Sequence, residues 1–166
     1  MKSHSHPDPG QAPHPSQSPL TSSNSSTGKQ TLRDVRLTKH ADYQRAYAAS
    51  RKKQSASLSW FLAARAIAGR DGVDPIGPRV GLTVGKVIGK AHERNRIKRR
   101  MREALRRHVE LLPAGCDLIL HPRRVVLTQE FAKLEAEIVR ILEQAQAEAA
   151  RWKQNQASQR ATALPQ

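Results

Sequence analysis

Along this chain, apolar residues recur at helical spacing in three stretches and alternate with small or polar ones in short runs between them. From His92 there is no Gly or Pro until Pro113, and most residues are good helix formers, which predicts a helix of about five turns. At about 100° per residue, Ile97, Met101, Ala104, Leu105, His108 and Leu112 fall on one apolar stripe. Upstream, Thr38 is placed to cap a short helix over Lys39 to Ala49, in which Tyr43, Ala46 and Tyr47 share a face. Downstream, Thr128 is placed to cap a long helix with Glu130 in its first turn, where an acid suits the helix dipole. Phe131, Leu134, Ile138, Ile141 or Leu142, and Ala145 give that helix one stripe to lay on a sheet, with fraying expected beyond Trp152.

The strand signals lie between the helices. Leu58, Trp60 and Leu62 alternate with Ser59, Phe61 and Ala63, and Val80, Leu82 and Val84 alternate with Gly81 and Thr83. These two runs are expected to pair antiparallel, giving one greasy face and one shallow face. Cys116 to His121 reads as a third, buried strand closed by Pro122, and Ser50 to Gln54 as a basic connection with room for a short strand. Gly69 to Pro78 is rich in Gly, Asp and Pro and reads as a loop. The Ser-, Pro- and His-rich start buries too little apolar area to offset ordering entropy. The expected division is a tail over 1–30, one domain over 31–152 and a second tail over 153–166.

Charge changes the picture most. The net charge is +15 with a pI near 11.1, which points to an acidic polymer as partner. Ten of the residues from Lys86 to Arg107 are Lys or Arg, against the two acids Glu93 and Glu103. Asn95, Arg99, Arg102 and Arg106 gather opposite the apolar stripe, flanked by Arg96 and Lys98, as a rail about 16 Å long at about 1.5 Å per residue. A solvent-facing helix ordinarily mixes both signs to gain i,i+4 pairs; this face repels itself until an anion is bound. Arg forks suit phosphate oxygens. No apolar run approaches membrane-spanning length, so no membrane partner is expected, and with no apolar central region near Lys2 no secretory signal is expected either. Cys116 stands alone, so no intrachain disulfide forms and a reducing cytoplasm is the expected setting.

Protein-based hydrolysis would need paired carboxylates, a metal cluster or an activated nucleophile. Asp71 and Asp74 fall in the loop, Gly85-x-x-x-Gly89-Lys90 lacks phosphate-loop spacing, and His4, His6 and His14 have no Cys or carboxylate framework. No catalytic residue and no metal ligand is assigned. Taken alone, Tyr43 and Tyr47 read as core residues with hydroxyls at its boundary.

Arg79-Val80-Gly81-Leu82-Thr83-Val84-Gly85-Lys86, Ile88-Gly89-Lys90-Ala91, Arg94-Asn95-Arg96-Ile97-Lys98-Arg99 and Arg102-Glu103 together resemble the signature of the protein subunit of bacterial ribonuclease P. Leu37-Thr38-Lys39 with Asp42, Tyr43 and Tyr47 resembles that family's first helix, and Asp117-Leu118-Ile119 its last strand. The resemblance implies an α+β sandwich of the ribosomal protein S5 domain 2-like kind, a small mixed sheet with three helices and a left-handed βαβ crossover. General handedness rules alone favour the right-handed form. The resemblance also implies a 1:1 partner of a catalytic RNA that removes 5′ leaders from precursor tRNA, with Mg²⁺ held mainly by the RNA. Carried over by motif, Lys86, Lys90, Arg94, Asn95, Arg96, Lys98 and Arg99 would contact the RNA subunit, and Arg102 and Arg106 extend the same rail. Tyr43, Tyr47, Lys52, Ser59 and Phe61 would line the cleft for the leader, which moves the tyrosines from core to stacking surface. Gly85 and Val87 depart from the family pattern, in which Ser or Lys is frequent. The competing expectation is a structural RNA binder that uses the basic helix and has no leader cleft. DNA binding is disfavoured because no helix-turn-helix spacing precedes the helix.

Overall fold

A computed structural model of the chain describes residues 30–65 and 77–162. Strands β1 (Lys53–Gln54), β2 (Leu58–Ala64), β3 (Arg79–Leu82) and β4 (Cys116–Pro122) form one sheet in the order β1-β2-β4-β3. β1 and β4 each run antiparallel to β2, and β3 runs parallel to β4. Helices α1 (His40–Ala49), α2 (Ala91–Arg107) and α3 (Phe131–Thr162) complete the α+β fold. Of the expected tail over 1–30, residues 1–29 with their histidines lie outside the described residues, as do residues 69–76 of the expected loop from Gly69 to Pro78.

The expected antiparallel pairing of β2 with β3 does not form, because β4 lies between them. The physical reason is burial: β4 keeps nearly its whole length out of water, and only the middle of a sheet covers both faces and both edges of a strand. β3 then joins β4 through α2, a parallel crossover of the kind that needs a helix. The outer edge of β3 is covered by the segment before α1, where Leu37 N–H donates to Val80 O at 2.8 Å and Val80 N–H to Val35 O at 2.7 Å.

Alternation sorts the side chains into two layers. Leu58, Trp60, Leu62, Val80, Leu118 and Leu120 face a core closed by Ile97, Met101 and Leu105 of α2 and by Leu134, Ile138, Leu142 and Ala145 of α3. The other face carries Phe61, Ala63 and Ile119 under α1, whose Ala46 is buried there. Burial pushes the Cys116 thiol up, away from the thiolate, in keeping with a packed strand residue. Glu137 of α3 pins the turn before β2: it accepts from Ser57 N–H at 2.8 Å and from the Ser55 and Ser57 hydroxyls. Burial raises this carboxyl, but those hydrogen bonds outweigh it and leave the group below its ordinary value.

Helix ends differ from the sequence expectation at three places. Lys39, not Thr38, is the N-cap of α1. Thr128 ends a 3₁₀ turn over Arg124–Leu127, and the first backbone bond of α3 runs from Leu134 N–H to Glu130 O, so Thr128 does not cap α3. α3 also continues past Trp152 to Thr162, where the expected tail over 153–166 would already have begun. Ala, Gln, Lys and Arg dominate that extension and neither Gly nor Pro interrupts it, so propensity carries the helix past its last buried residue, Ala149. No helix among the described residues is long and apolar enough to cross a membrane.

The start of α2 depends on one glycine. Gly89 has φ 151°, and a Cβ there would fall 2.1 Å from Glu93 Oε2. That carboxylate accepts the Lys90 N–H at 2.7 Å and binds Arg124 at 2.8 Å. Gly89→Ala is therefore expected to strain the backbone and displace Glu93, costing about 2 kcal/mol. A urea midpoint unchanged from the wild type would refute this.

Candidate nucleic-acid interface

The expected cationic rail exists, and its carboxylates sit at its two ends. Glu93 is held by Arg124 at 2.8 Å. Glu103 is held by Arg106 at 2.9 Å and by Arg107 at 3.1 Å, which lowers its carboxyl to about 2. Between these ends Arg96, Arg99 and Arg102 are exposed, and no carboxylate of the described residues reaches them or Lys98 within ion-pair distance. Arg94 is half-buried, and its Nε lacks a hydrogen-bond partner. Asn95, Lys86 and Lys90 are exposed alongside, as is Val87 at 94%. The segment Arg94 to Arg102 thus gathers positive charge that no carboxylate of the described residues neutralises.

Not every arginine of α2 belongs to that surface. Arg106, an expected member, is tied to Glu103 through two hydrogen bonds of 3.1 and 2.9 Å. Arg100 turns toward the start of α3 and donates to Leu127 O at 3.1 Å and to Gln129 O. Arg107 lies 4.9 Å over the Phe131 ring and reaches Glu135 at 3.3 Å, so it fastens α2 to α3.

On the opposite face of the sheet, register stacks three cross-strand rows beneath α1. The first row is Ala63, Asp117 and Arg79, the second Phe61, Ile119 and Gly81. The third is Ser59 and His121, continued by Thr83, whose N–H donates to Leu120 O at 3.0 Å. α1 matches each row with a different chemistry. Asp42 and Arg45 meet the charged row: Arg79 grips Asp117 with two bonds of 2.7 and 2.8 Å and donates to Asp42 at 2.8 Å, while Arg45 reaches Asp42 at 2.6 Å. Burial raises the Asp42 carboxyl, but Arg45 and Arg79 more than offset this and hold it below its ordinary value. Tyr43 lies against Gly81, where a Cβ would fall 2.7 Å from the ring. Any side chain larger than hydrogen would expel the tyrosine from its seat.

Tyr47 stands over the last two rows. Its ring meets Phe61 edge-on at 5.0 Å and lies 6.3 Å from Tyr43, so the three aromatics form a continuous half-buried strip. Burial raises the Tyr43 phenol, and the hydroxyl donates to Leu37 O at 3.3 Å. Of the other expected cleft residues, Lys52 is exposed, whereas Ser59 is only 6% exposed and lies beneath the strip rather than on it.

Sequence reading missed His121 and Thr83 as members of this surface. His121 packs 5.7 Å from Tyr47 and 5.4 Å from Phe61, and its Nε2 is 2.8 Å from the Tyr47 hydroxyl. The signal was the alternation Asp117, Ile119, His121, which puts polar groups on one face of a strand that looks uniformly buried. Without the β2–β4 register, nothing connects that face to Phe61.

A model of the Ribonuclease P family matches residues 32–146, which contain both the rail and the aromatic strip. The ribonuclease P protein component of Chloroflexus aggregans is 38% identical over 111 residues, covering 66% of this chain and 76% of that protein. Its counterpart from Oenococcus oeni is 30% identical over 113 residues, 68% of this chain and 89% of the other. The fold is similar to that of the RNase P protein from Thermotoga maritima, with TM-score 0.55 and 22% identity over 66% of this chain and 96% of that one. With the family model matched over most of the chain and relatives of this identity beside it, the chain belongs to the ribonuclease P protein component family.

Proposed function

We propose that this protein is the protein subunit of ribonuclease P and that its two surfaces divide the work. The middle of α2 binds the catalytic RNA subunit in a 1:1 complex, with Arg94, Asn95, Arg96, Lys98, Arg99 and Arg102 toward phosphates and Lys86 and Lys90 in support. Arg106 joins only if the RNA displaces Glu103. The strip of Tyr43, Tyr47 and Phe61, with Lys52 at its rim, takes the single-stranded 5′ leader of precursor tRNA. The observation that carries this reading is the pairing of a carboxylate-free cationic helix segment with an accessible aromatic strip. Stacking tolerates any base, which suits leaders of varied sequence.

The holoenzyme reaction is Mg²⁺-dependent hydrolysis of the phosphodiester at the leader junction. Among the described residues no three His, Cys, Asp or Glu side chains come together to hold a cation. The acids nearest the strip, Asp42 and Asp117, are already engaged by arginines. The described residues therefore offer no cluster that fits an ion, and we assign the ions mainly to the RNA. What the protein contributes is position: it neutralises RNA phosphates and holds the leader.

Adding the protein to a bacterial ribonuclease P RNA with precursor tRNA at low Mg²⁺ should restore cleavage. No gain would favour a structural RNA binder instead. Phe61→Ala should lower affinity for precursor tRNA by about 1–3 kcal/mol and leave mature tRNA binding unchanged. Equal loss for both tRNAs would remove Phe61 from the leader site.

A further inference from the structure

Resting on the leader reading above, we infer that the Tyr47 hydroxyl, with its hydrogen-bond polarity set by His121, reads one nucleobase edge of the leader. An aromatic strip alone is indifferent to sequence, because every base offers a stacking face. This strip is not purely aromatic. At its open end the Tyr47 hydroxyl lies 2.8 Å from His121 Nε2 and 3.5 Å from Thr83 Oγ1, among half-buried groups. Tyr47 stands edge-on to Phe61 at 79°, so a nucleobase stacked on Phe61 would meet Tyr47 and this cluster with its polar edge.

The chemistry of the pair follows from counting protons. Neutral imidazole has one bare nitrogen and one N–H, and its two tautomers exchange. If Nε2 is bare, the Tyr47 O–H donates to it, and the phenol oxygen is left to accept from a base amine. If Nε2 carries the hydrogen, it donates to the phenol oxygen, and the Tyr47 O–H is free to donate to a base carbonyl or ring nitrogen. The neutral pair therefore satisfies either kind of base edge. Imidazolium permits only the second arrangement: Nε2–H must donate, so Tyr47 must present its own hydrogen. Protonating His121 converts a tolerant reader into one that accepts only hydrogen-bond acceptors.

The surroundings place that conversion on the acid side of neutrality. Burial lowers the His121 imidazole below its ordinary value, and the charge of Lys52, ahead of β1, lowers it further. The other elements facing the ring bring no opposing charge: Tyr47 from α1, Ser59 and Phe61 from β2, and Thr83 beyond β3. His121 is thus a positioning residue that acts through Tyr47.

The test uses the full chain assembled with ribonuclease P RNA. Precursor tRNAs carry adenosine or inosine at one leader position at a time, a change from amine donor to carbonyl acceptor at the same ring position. Affinity is measured from pH 7.5 to 5.5 under non-cleaving conditions. At one position the adenosine-to-inosine affinity ratio should fall on acidification by about two- to tenfold, the range of one hydrogen bond. His121→Phe and Tyr47→Phe should each make that ratio independent of pH while assembly with the RNA is unchanged. Tyr47→Phe carries the test if His121→Phe folds poorly, since it removes only an oxygen. A ratio that is flat in the wild type at every position, or that keeps its slope in Tyr47→Phe, overturns the inference. Failure of the leader site itself is a different result, in which precursor and mature tRNA bind equally well at every pH.

Discussion

Replacing Arg94, Arg96 and Arg99 together by alanine is expected to weaken assembly with ribonuclease P RNA by about 10³-fold or more. Each guanidinium can make a charge-assisted contact with phosphate, worth about 1.5–3 kcal/mol net, and about 1.4 kcal/mol is tenfold in affinity. The size rests on the absence of internal competition. No carboxylate of the described residues must be displaced from Arg96 or Arg99 before RNA binds, and the Arg94 Nε has no partner to lose. Arg106→Ala should cost far less, because Glu103 already occupies that side chain and its release offsets part of the contact. The triple variant should also flatten the salt dependence, lowering the slope of log affinity against log salt by about 2–3. The fold gives no reason for collapse, since the buried stripe of α2 is Ile97, Met101, Ala104 and Leu105. A triple variant that assembles normally, with an unchanged salt slope, would mean that another surface grips the RNA.

How much of this interface could be read before the fold was known differs between its halves. The rail is a local object: one helix period, a run of arginines and no breaking residue define it, and α2 forms over nearly the expected span. Even there, which arginines face outward unpaired is not legible, because Arg100 finds its partners just ahead of α3 and Arg107 on α3 itself, far away in sequence. The strip is a long-range object. Tyr43 and Tyr47 share a helix face by periodicity, but Phe61 joins them only once β2 lies under α1. His121 enters only because β4, rather than β3, pairs with β2. The two alternating runs were correctly seen as strands, yet alternation says nothing about neighbours. The middle place went to the strand with most to bury on both sides. Caps failed for a related reason: a hydroxyl at the right distance from an apolar run signals a helix start, but Lys39 and Glu130 take those places by backbone geometry.

Arg79→Met should lower stability by about 3 kcal/mol and disable the leader strip while sparing the rail. Asp117 is 1% exposed and receives two bonds from Arg79, so removing that guanidinium strands a buried carboxylate, a change that typically costs about 3–5 kcal/mol. The lower end applies because Arg65 at 3.7 Å and Arg45 at 3.8 Å remain near it. Arg79 also joins Asp117 of β4 to Asp42 of α1, so its loss frees the helix that positions Tyr43 and Tyr47. α2 packs on the other face of the sheet, which keeps the effects separable: precursor preference should drop, whereas assembly with the RNA subunit should hold. Acid should imitate the substitution in the wild type. Asp42 is held below its ordinary value when folded, so its contribution is complete above about pH 4 and fades as pH falls through the lower folded value. Urea unfolding and binding to the two tRNAs check both halves. A stability loss under 1 kcal/mol would deny the clamp, and a matching loss of RNA assembly would deny the separation of the two faces. The charged row therefore does for the trough what Glu93 and Gly89 do for the rail: it fixes the angle at which a helix presents its functional side chains.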